Sequence, residues 1–92
     1  MRKATYKEIP ELLENLIEFE GNSMSGVYDP QCNAYHVYSY NTIIATIYCG
    51  ICKLNTEYYS NTTSRQQNIV KRCFPKFVEV GHEELNGYKY HY

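Results

Sequence analysis

The chain has 92 residues, with nine lysines and arginines against ten aspartates and glutamates, and a formal net charge of −1. A chain of this length forms one domain over residues 1–92 and buries roughly 60–65% of its unfolded surface, which leaves little room for a deep pocket. The near-neutral charge argues against a strongly basic nucleic-acid module and, equally, against a DNA mimic carpeted with carboxylates, although a local patch of either sign stays open.

The pattern of an amphipathic helix begins near the start of the chain. Apolar residues at Ile9, Leu12, Leu13 and at positions 16 and 17 follow the spacing of one helix face. Pro10 suits the first turn, and Gly21 suits the left-handed position after the last. The pattern therefore predicts a helix over residues 8–20, with glutamates on its outer face.

The middle of the chain is typical of antiparallel strands. Alternation from Ala34 to Tyr40, followed by the isoleucine-rich stretch 43–48, predicts strands with a bend or bulge near Asn41. Cys49 and Gly50 have the character of a two-residue hairpin turn, after which residues 51–54 return as a strand.

A second helix is predicted after this sheet. Thr62, Thr63 and Ser64 are each able to cap its start, an apolar stripe follows at Ile69, Val70, Cys73 and Phe74, and Pro75 stops it. A strand is predicted over residues 77–80, and a turn at Asn86–Gly87 with tyrosines 88, 90 and 92 alternating behind it.

Together these elements predict an α+β domain. It consists of a three- to four-stranded antiparallel sheet with two helices on one face, in the order α-β-β-β(-β)-α, with a short β tail.

Cys49-Gly50-Ile51-Cys52 has the spacing of a metal or redox motif. A structural zinc site needs four ligands, and the remaining candidates are Cys32, Cys73, His36 and His82. Because the chain has no second Cys-x-x-Cys pair and the motif also fits a tight hairpin, we expect no bound metal and no cofactor. His36 beside a cysteine could act as a catalytic base, but strand alternation places it on a sheet face, and no enzyme motif is present. We therefore expect a protein that is not an enzyme.

Three stretches carry a resemblance to a known group of proteins. They are GNSMSG (residues 21–26), VYSYNTIIA (37–45) and YYSNTTSRQQNIVKR (58–72). In this combination the chain resembles small uncharacterised proteins encoded by phages and mobile elements of Gram-positive bacteria. The resemblance implies an accessory viral protein that binds a host protein, as inhibitors of host defence nucleases do, and it carries no catalytic residue to this chain.

The predicted function is inhibition of a host defence protein, in the manner of an anti-CRISPR protein, by steric occupation. The eleven tyrosines suggest the contact surface, because tyrosine offers a large contact area at low entropic cost and one small core cannot hide them all. Aromatic and arginine side chains dominate interface energies. The predicted partner-binding residues are Tyr35, Tyr38, Tyr40, Tyr58, Tyr59, Arg65 and Arg72.

The alternative is a small nucleic-acid-binding regulator that uses the second helix, whose outer face carries Arg65, Lys71 and Arg72. The sequence has no apolar run near the roughly 20 residues that span a membrane, and its start lacks a signal peptide. We therefore expect the protein in the cytoplasm of the bacterial host cell, with reduced cysteines.

Overall fold

A computed structural model describes residues 2–86 as a mixed sheet with three helices. Within this range the strands form one seven-stranded sheet in which the spatial order follows the chain order. The elements, in chain order, are β1 (Arg2–Lys3), α1 (Ile9–Glu14), β2 (Phe19–Glu20), β3 (Met24–Asp29), β4 (Ala34–Ser39), β5 (Thr42–Tyr48), β6 (Ile51–Asn55), α2 (Asn61–Cys73), β7 (Val78–Val80) and α3 (His82–Asn86).

The predicted three- to four-stranded antiparallel sheet is wrong, although the α+β class holds. The four ladders from β2 to β6 are antiparallel, but the outer pairs β1–β2 and β6–β7 are parallel. A helix lies between the two strands of each parallel pair, and a helical crossover is what parallel neighbours require. The strand expected at residues 77–80 is present, and α2 makes it parallel to β6.

The first helix is shorter than predicted. It ends at Glu14, and the next residues close a Schellman motif in which Leu16 N–H donates to Leu13 O at 3.1 Å and Ile17 N–H to Leu12 O at 2.9 Å. Leu16, with a φ of 53°, occupies the left-handed position predicted for Gly21. Beyond it, Phe19 joins the sheet and is fully buried.

The second helix begins before its predicted caps. Ser60 is the N-cap, and its hydroxyl accepts a hydrogen bond from Thr63 N–H at 3.1 Å. Val70, in the predicted apolar stripe, is buried, and the helix ends at Cys73 ahead of Pro75.

Strand registers assign the two faces of the sheet. The helical face is covered by α1 and α2 and holds the core: Ile9, Leu12, Leu13, Phe19, Met24, Tyr35, Val37, Ile44, Ala45, Ile47, Cys52, Leu54, Ile69 and Val70. The opposite face, here the open face, presents His36, Thr46 and Lys53 from adjacent strands. Helix α3 lies on this face, where its Glu84 forms an ion pair with Lys53 at 3.0 Å. The prediction of two helices on one face therefore missed a third helix on the opposite face.

The hairpin predicted at Cys49–Gly50 is confirmed. Tyr48 pairs with Ile51 across the turn, and both turn residues have positive φ, 50° for Cys49 and 78° for Gly50. These are the angles of the type I′ turn, which matches the twist of the flanking strands.

The bulge lies between Val37 and Tyr38, ahead of the expected bend near Asn41. The predicted tyrosine strand at positions 88–92 lies outside the described residues.

Candidate functional site: a tyrosine patch beside the second helix

The predicted contact tyrosines separate into three locations. Tyr35 is 1% exposed and belongs to the core, where its hydroxyl donates a hydrogen bond to the Ile17 carbonyl at 2.8 Å. A side chain so buried cannot touch a partner of the folded protein, so Tyr35 leaves the predicted contact set. Tyr38 is half-buried on the open face, where its ring meets the His36 ring edge-on with centroids 6.4 Å apart.

The other three predicted tyrosines lie at the surface near the start of α2. Tyr40 is 63% exposed, Tyr58 71% and Tyr59 41%, and we call these three residues the tyrosine patch. Tyr40 and Tyr59 line one small pocket of about 230 Å³, together with hydroxyl groups of Ser39, Ser60 and Thr63. Residues that are distant in the sequence thus meet at one concave surface.

Tight local structure holds the patch in place. Tyr40 occupies the β4–β5 turn with a φ of 56°, and its N–H donates to the Ser23 carbonyl at 2.7 Å. The Tyr59 hydroxyl accepts a hydrogen bond from the Asn55 side-chain amide at 2.6 Å and lies 3.0 Å from Nδ1 of His82. The backbone of Tyr40 and the ring of Tyr59 are therefore positioned before any partner arrives.

The environment of Tyr59 favours its neutral phenol. Burial raises the pKa of Tyr59 above its ordinary value, and the hydrogen bond from Asn55 only partly opposes this effect. The nearby Glu57 accepts a hydrogen bond from His82 N–H at 2.9 Å. The patch therefore offers aromatic surface and hydroxyl groups, with carboxylate at its edge.

The two predicted arginines lie elsewhere on α2. The guanidinium of Arg65 stacks over the Tyr6 ring at 4.5 Å from its centroid, a cation–π contact that fixes the side chain. Arg72 is exposed in the last turn of the helix. Neither residue lines the pocket between Tyr40 and Tyr59, so the structure does not gather the seven predicted residues into one site.

The Cys-x-x-Cys pair does not form a chelating site. Cys49 is exposed in the turn, whereas Cys52 is buried in the core on the helical face, and burial raises its pKa to about 11. Among residues 2–86, no group of three or more His, Cys, Asp or Glu side chains is close enough to hold a metal ion.

His36 contacts Thr46 and Asp29 on the open face. Its Nδ1 lies 2.9 Å from the Thr46 hydroxyl, and its Nε2 is 4.0 Å from an oxygen of Asp29. The Cys32 thiol donates to that same oxygen of Asp29 at 3.3 Å, and this hydrogen bond raises the pKa of Cys32. The carboxylate of Asp29 therefore favours the neutral thiol of Cys32.

The three distinctive sequence stretches converge on the inner side of α2. Ser39 lies 3.0 Å from the Thr63 hydroxyl, and the Gln66 amide donates to Ser23 at 2.8 Å. The next residue, Gln67, donates to the Asn55 carbonyl at 2.6 Å. These contacts show that the stretches share a structural role.

The buried polar stripe formed by Thr63, Gln66 and Gln67 is not among the features predicted from the sequence. The signal was available, since Thr63, Gln66 and Gln67 have the same three- and four-residue spacing that identifies an apolar helix face. The predicted inner face held only the apolar stripe, yet all three polar residues are buried as well.

The fold and surface define a small α+β domain with a helical core face and an aromatic patch. The chain belongs to DUF8033, a family of unknown function, whose profile matches residues 8–74. No curated protein and no solved structure matches it. No helix in the described part of the chain is long and apolar enough to cross a membrane.

Proposed function

We propose that the chain is a small binding protein that acts by covering part of a partner protein with its tyrosine patch. The observation that carries this proposal is the convergence of Tyr40 and Tyr59 on one pocket, with Tyr58 beside them. Exposed aromatic rings held in a fixed orientation are the side chains that contribute most to interface energies, because little conformational entropy is lost when they bind.

In this proposal the pocket selects the partner. Its volume of about 230 Å³ is that of a site for a single inserted side chain, below the range of ligand pockets. The Ser39 and Thr63 hydroxyls in this pocket are hydrogen-bonded to each other at 3.0 Å. A polar group of a partner would have to replace this hydrogen bond in order to bind either hydroxyl. The partner therefore inserts one side chain between Tyr40 and Tyr59, and the surrounding rings exclude water.

The partner that we propose is a host defence protein, with a CRISPR effector as the first to test. The resemblance to small phage-encoded accessory proteins supports this class of partner. In this proposal the chain acts in the cytoplasm of the bacterial host and blocks the effector sterically, without chemistry of its own.

The test is a plaque assay in a host that carries an active CRISPR system directed against the infecting phage. Expression of the chain should raise plaquing, and the double variant Tyr40→Asn with Tyr58→Ser should abolish that increase. Asparagine tolerates the left-handed backbone of residue 40, so the fold is preserved. The matched control is Tyr28→Ser, since Tyr28 is also exposed, at 42%, but lies outside the patch.

Two outcomes would contradict parts of the proposal. If the patch variant and the Tyr28 control protect phage equally, the contact surface lies elsewhere. If wild-type protein protects phage from none of a panel of CRISPR and restriction systems, the class of partner is wrong. Pull-downs with the purified effector, repeated after nuclease treatment, show whether the contact is with protein or with bound nucleic acid.

A further inference from the structure

A larger groove lies on the open face of the sheet, away from the tyrosine patch. Its volume is about 480 Å³, within the range of roughly 300–1,000 Å³ that small-molecule sites occupy. Helix α3 forms one wall, and the β5–β6 hairpin forms the other. The proposed contact with a defence protein does not use this groove.

The hairpin wall is apolar and exposed to solvent. Tyr48 and Ile51 face each other across the turn and are 47% and 52% exposed, respectively. Ala34 and Leu85 line the groove beside them and are nearly buried. Large apolar side chains that lie exposed around a concavity indicate a surface that a ligand covers.

The charged and polar side chains that line the groove are already paired with each other. Lys53 and Glu84 form an ion pair at 3.0 Å, and the Thr46 hydroxyl lies 2.9 Å from Nδ1 of His36. A charged ligand would have to lose its hydration and compete for groups that have partners, which is unfavourable. The lining thus complements a molecule with no net charge.

Two exposed thiols, those of Cys32 and Cys49, also line the groove. Sulfur makes favourable contacts with the edges of aromatic rings at about 5 Å. Together with the Tyr48 ring, the thiols favour a planar aromatic ligand over an aliphatic one of the same size.

We propose that this groove binds a small, uncharged aromatic molecule. The Tyr48–Ile51 wall and Leu85 cover the ring, and the sulfurs of Cys32 and Cys49 contact its edge. The paired polar groups at Thr46 and Lys53 exclude charged compounds. The proposal is independent of the proposed function, because no residue of the tyrosine patch takes part.

The test is a titration of the full ¹⁵N-labelled chain with benzyl alcohol, followed by NMR, with benzoate and benzylammonium as charged probes of similar size. The neutral probe should give saturable shifts at groove residues such as Thr46 and Lys53, with a dissociation constant on the order of 1 mM for so small a molecule. Both charged probes should bind at least about tenfold more weakly.

Ile51→Lys should weaken binding of benzyl alcohol by about tenfold or more, because it places a charge at the wall of the groove and removes apolar area there. The matched control, Tyr58→Ser, should leave the affinity unchanged.

A second measurement uses the thiol in the wall. Saturating benzyl alcohol should slow the alkylation of Cys49 by iodoacetamide in the wild type and not in Ile51→Lys. The absence of saturable shifts would overturn the proposal, as would equal binding of the charged probes. Unchanged affinity in a folded Ile51→Lys variant would show that the molecule binds elsewhere.

Discussion

The side-chain amide of Asn86 pairs with both backbone polar groups of Ile43. The Ile43 N–H donates to Oδ1 of Asn86, and Nδ2 of Asn86 donates to the Ile43 carbonyl, each at 2.9 Å. The β5–β6 ladder begins only at the Ala45–Leu54 pair, so Asn86 supplies the partners that a strand would otherwise provide. One buried side chain thereby attaches α3 to the sheet.

Replacement of Asn86 should therefore weaken the fold strongly. Asn86→Ala leaves two buried backbone groups without partners, and we expect the free energy of unfolding to fall by about 2–4 kcal/mol in urea melts. Glu83→Ala, on the exposed part of the same helix, should change it by less than about 0.5 kcal/mol. Equal effects of the two substitutions would show that α3 is not anchored by this amide.

The position at which α1 ends can be tested by whether Leu16→Gly raises or lowers the free energy of unfolding. Because Leu16 has a φ of 53°, Leu16→Gly should relieve strain and raise the free energy of unfolding by about 0.5–1 kcal/mol. If the helix instead continued to residue 20, the same glycine would lower it by about 1 kcal/mol. Leu13→Ala, at a fully buried position, should lower it by about 2–4 kcal/mol and serves as the reference for a core residue.

Gly26 is required by the close approach of two aromatic rings. A Cβ at this position would lie 2.0 Å from the Tyr35 hydroxyl oxygen and 2.7 Å from the Phe19 ring. Gly26→Ala should thus destabilise the protein by about 1–3 kcal/mol, measured in denaturant melts. Gly81→Ala is the control, since the nearest atom to its Cβ would be 3.6 Å away. A neutral Gly26→Ala would mean that Tyr35 does not pack across β3.

The stability of the protein should depend on pH through Cys52. Burial, with a smaller contribution from the nearby Cys73, raises the pKa of Cys52 from 9.0 to about 11. The folded state thus favours the neutral thiol, so this contribution is complete below pH 9 and is lost as the pH rises towards 11. The loss is on the order of 2 kcal/mol.

The comparison that isolates this effect is with Cys52→Ala. The difference in unfolding free energy between the wild type and the variant should shrink from pH 9 to pH 11, as followed by urea melts at each pH. Groups that do not interact with Cys52 titrate alike in both proteins, so their contribution cancels. A constant difference across this range would contradict the assigned pKa.

Nucleic acid should bind weakly. Arg65 is engaged with Tyr6, and the outer face of α2 otherwise offers only Lys71 and Arg72 as cations. Three phosphate contacts would give a salt slope near −3 at most, and we expect dissociation constants for random DNA or RNA no tighter than about 10 μM at physiological salt. Gel shifts measure this directly. Submicromolar binding that Arg65→Glu and Arg72→Glu abolish would favour the regulator over the inhibitor.

Local patterns in the sequence determined the elements that depend on neighbouring residues. The Cys49–Gly50 turn was predictable because its left-handed backbone angles favour particular residues, whatever surrounds them. The stripe containing Val70 and the stop at Pro75 were predictable for the same reason, since helix periodicity and proline geometry act within a few residues. The surface position of Tyr58, beside the cap of α2, also followed from the sequence.

Only the tertiary structure decided the features that depend on distant partners. The apolar pattern after Leu13 fits a helix, but the helix ends at Glu14, and Phe19 is buried in β2, which pairs with β3. Tyr35 and Tyr40 lie on the same strand–turn segment, yet one is buried and the other exposed. Strand register and the Ile17 carbonyl, which accepts the hydrogen bond of Tyr35, make that choice. The parallel edge strands, the attachment of α3 and the pocket of the tyrosine patch each join segments far apart in the chain. Such contacts leave little local signal, because their energy comes from burial and hydrogen bonding between residues that meet only after folding.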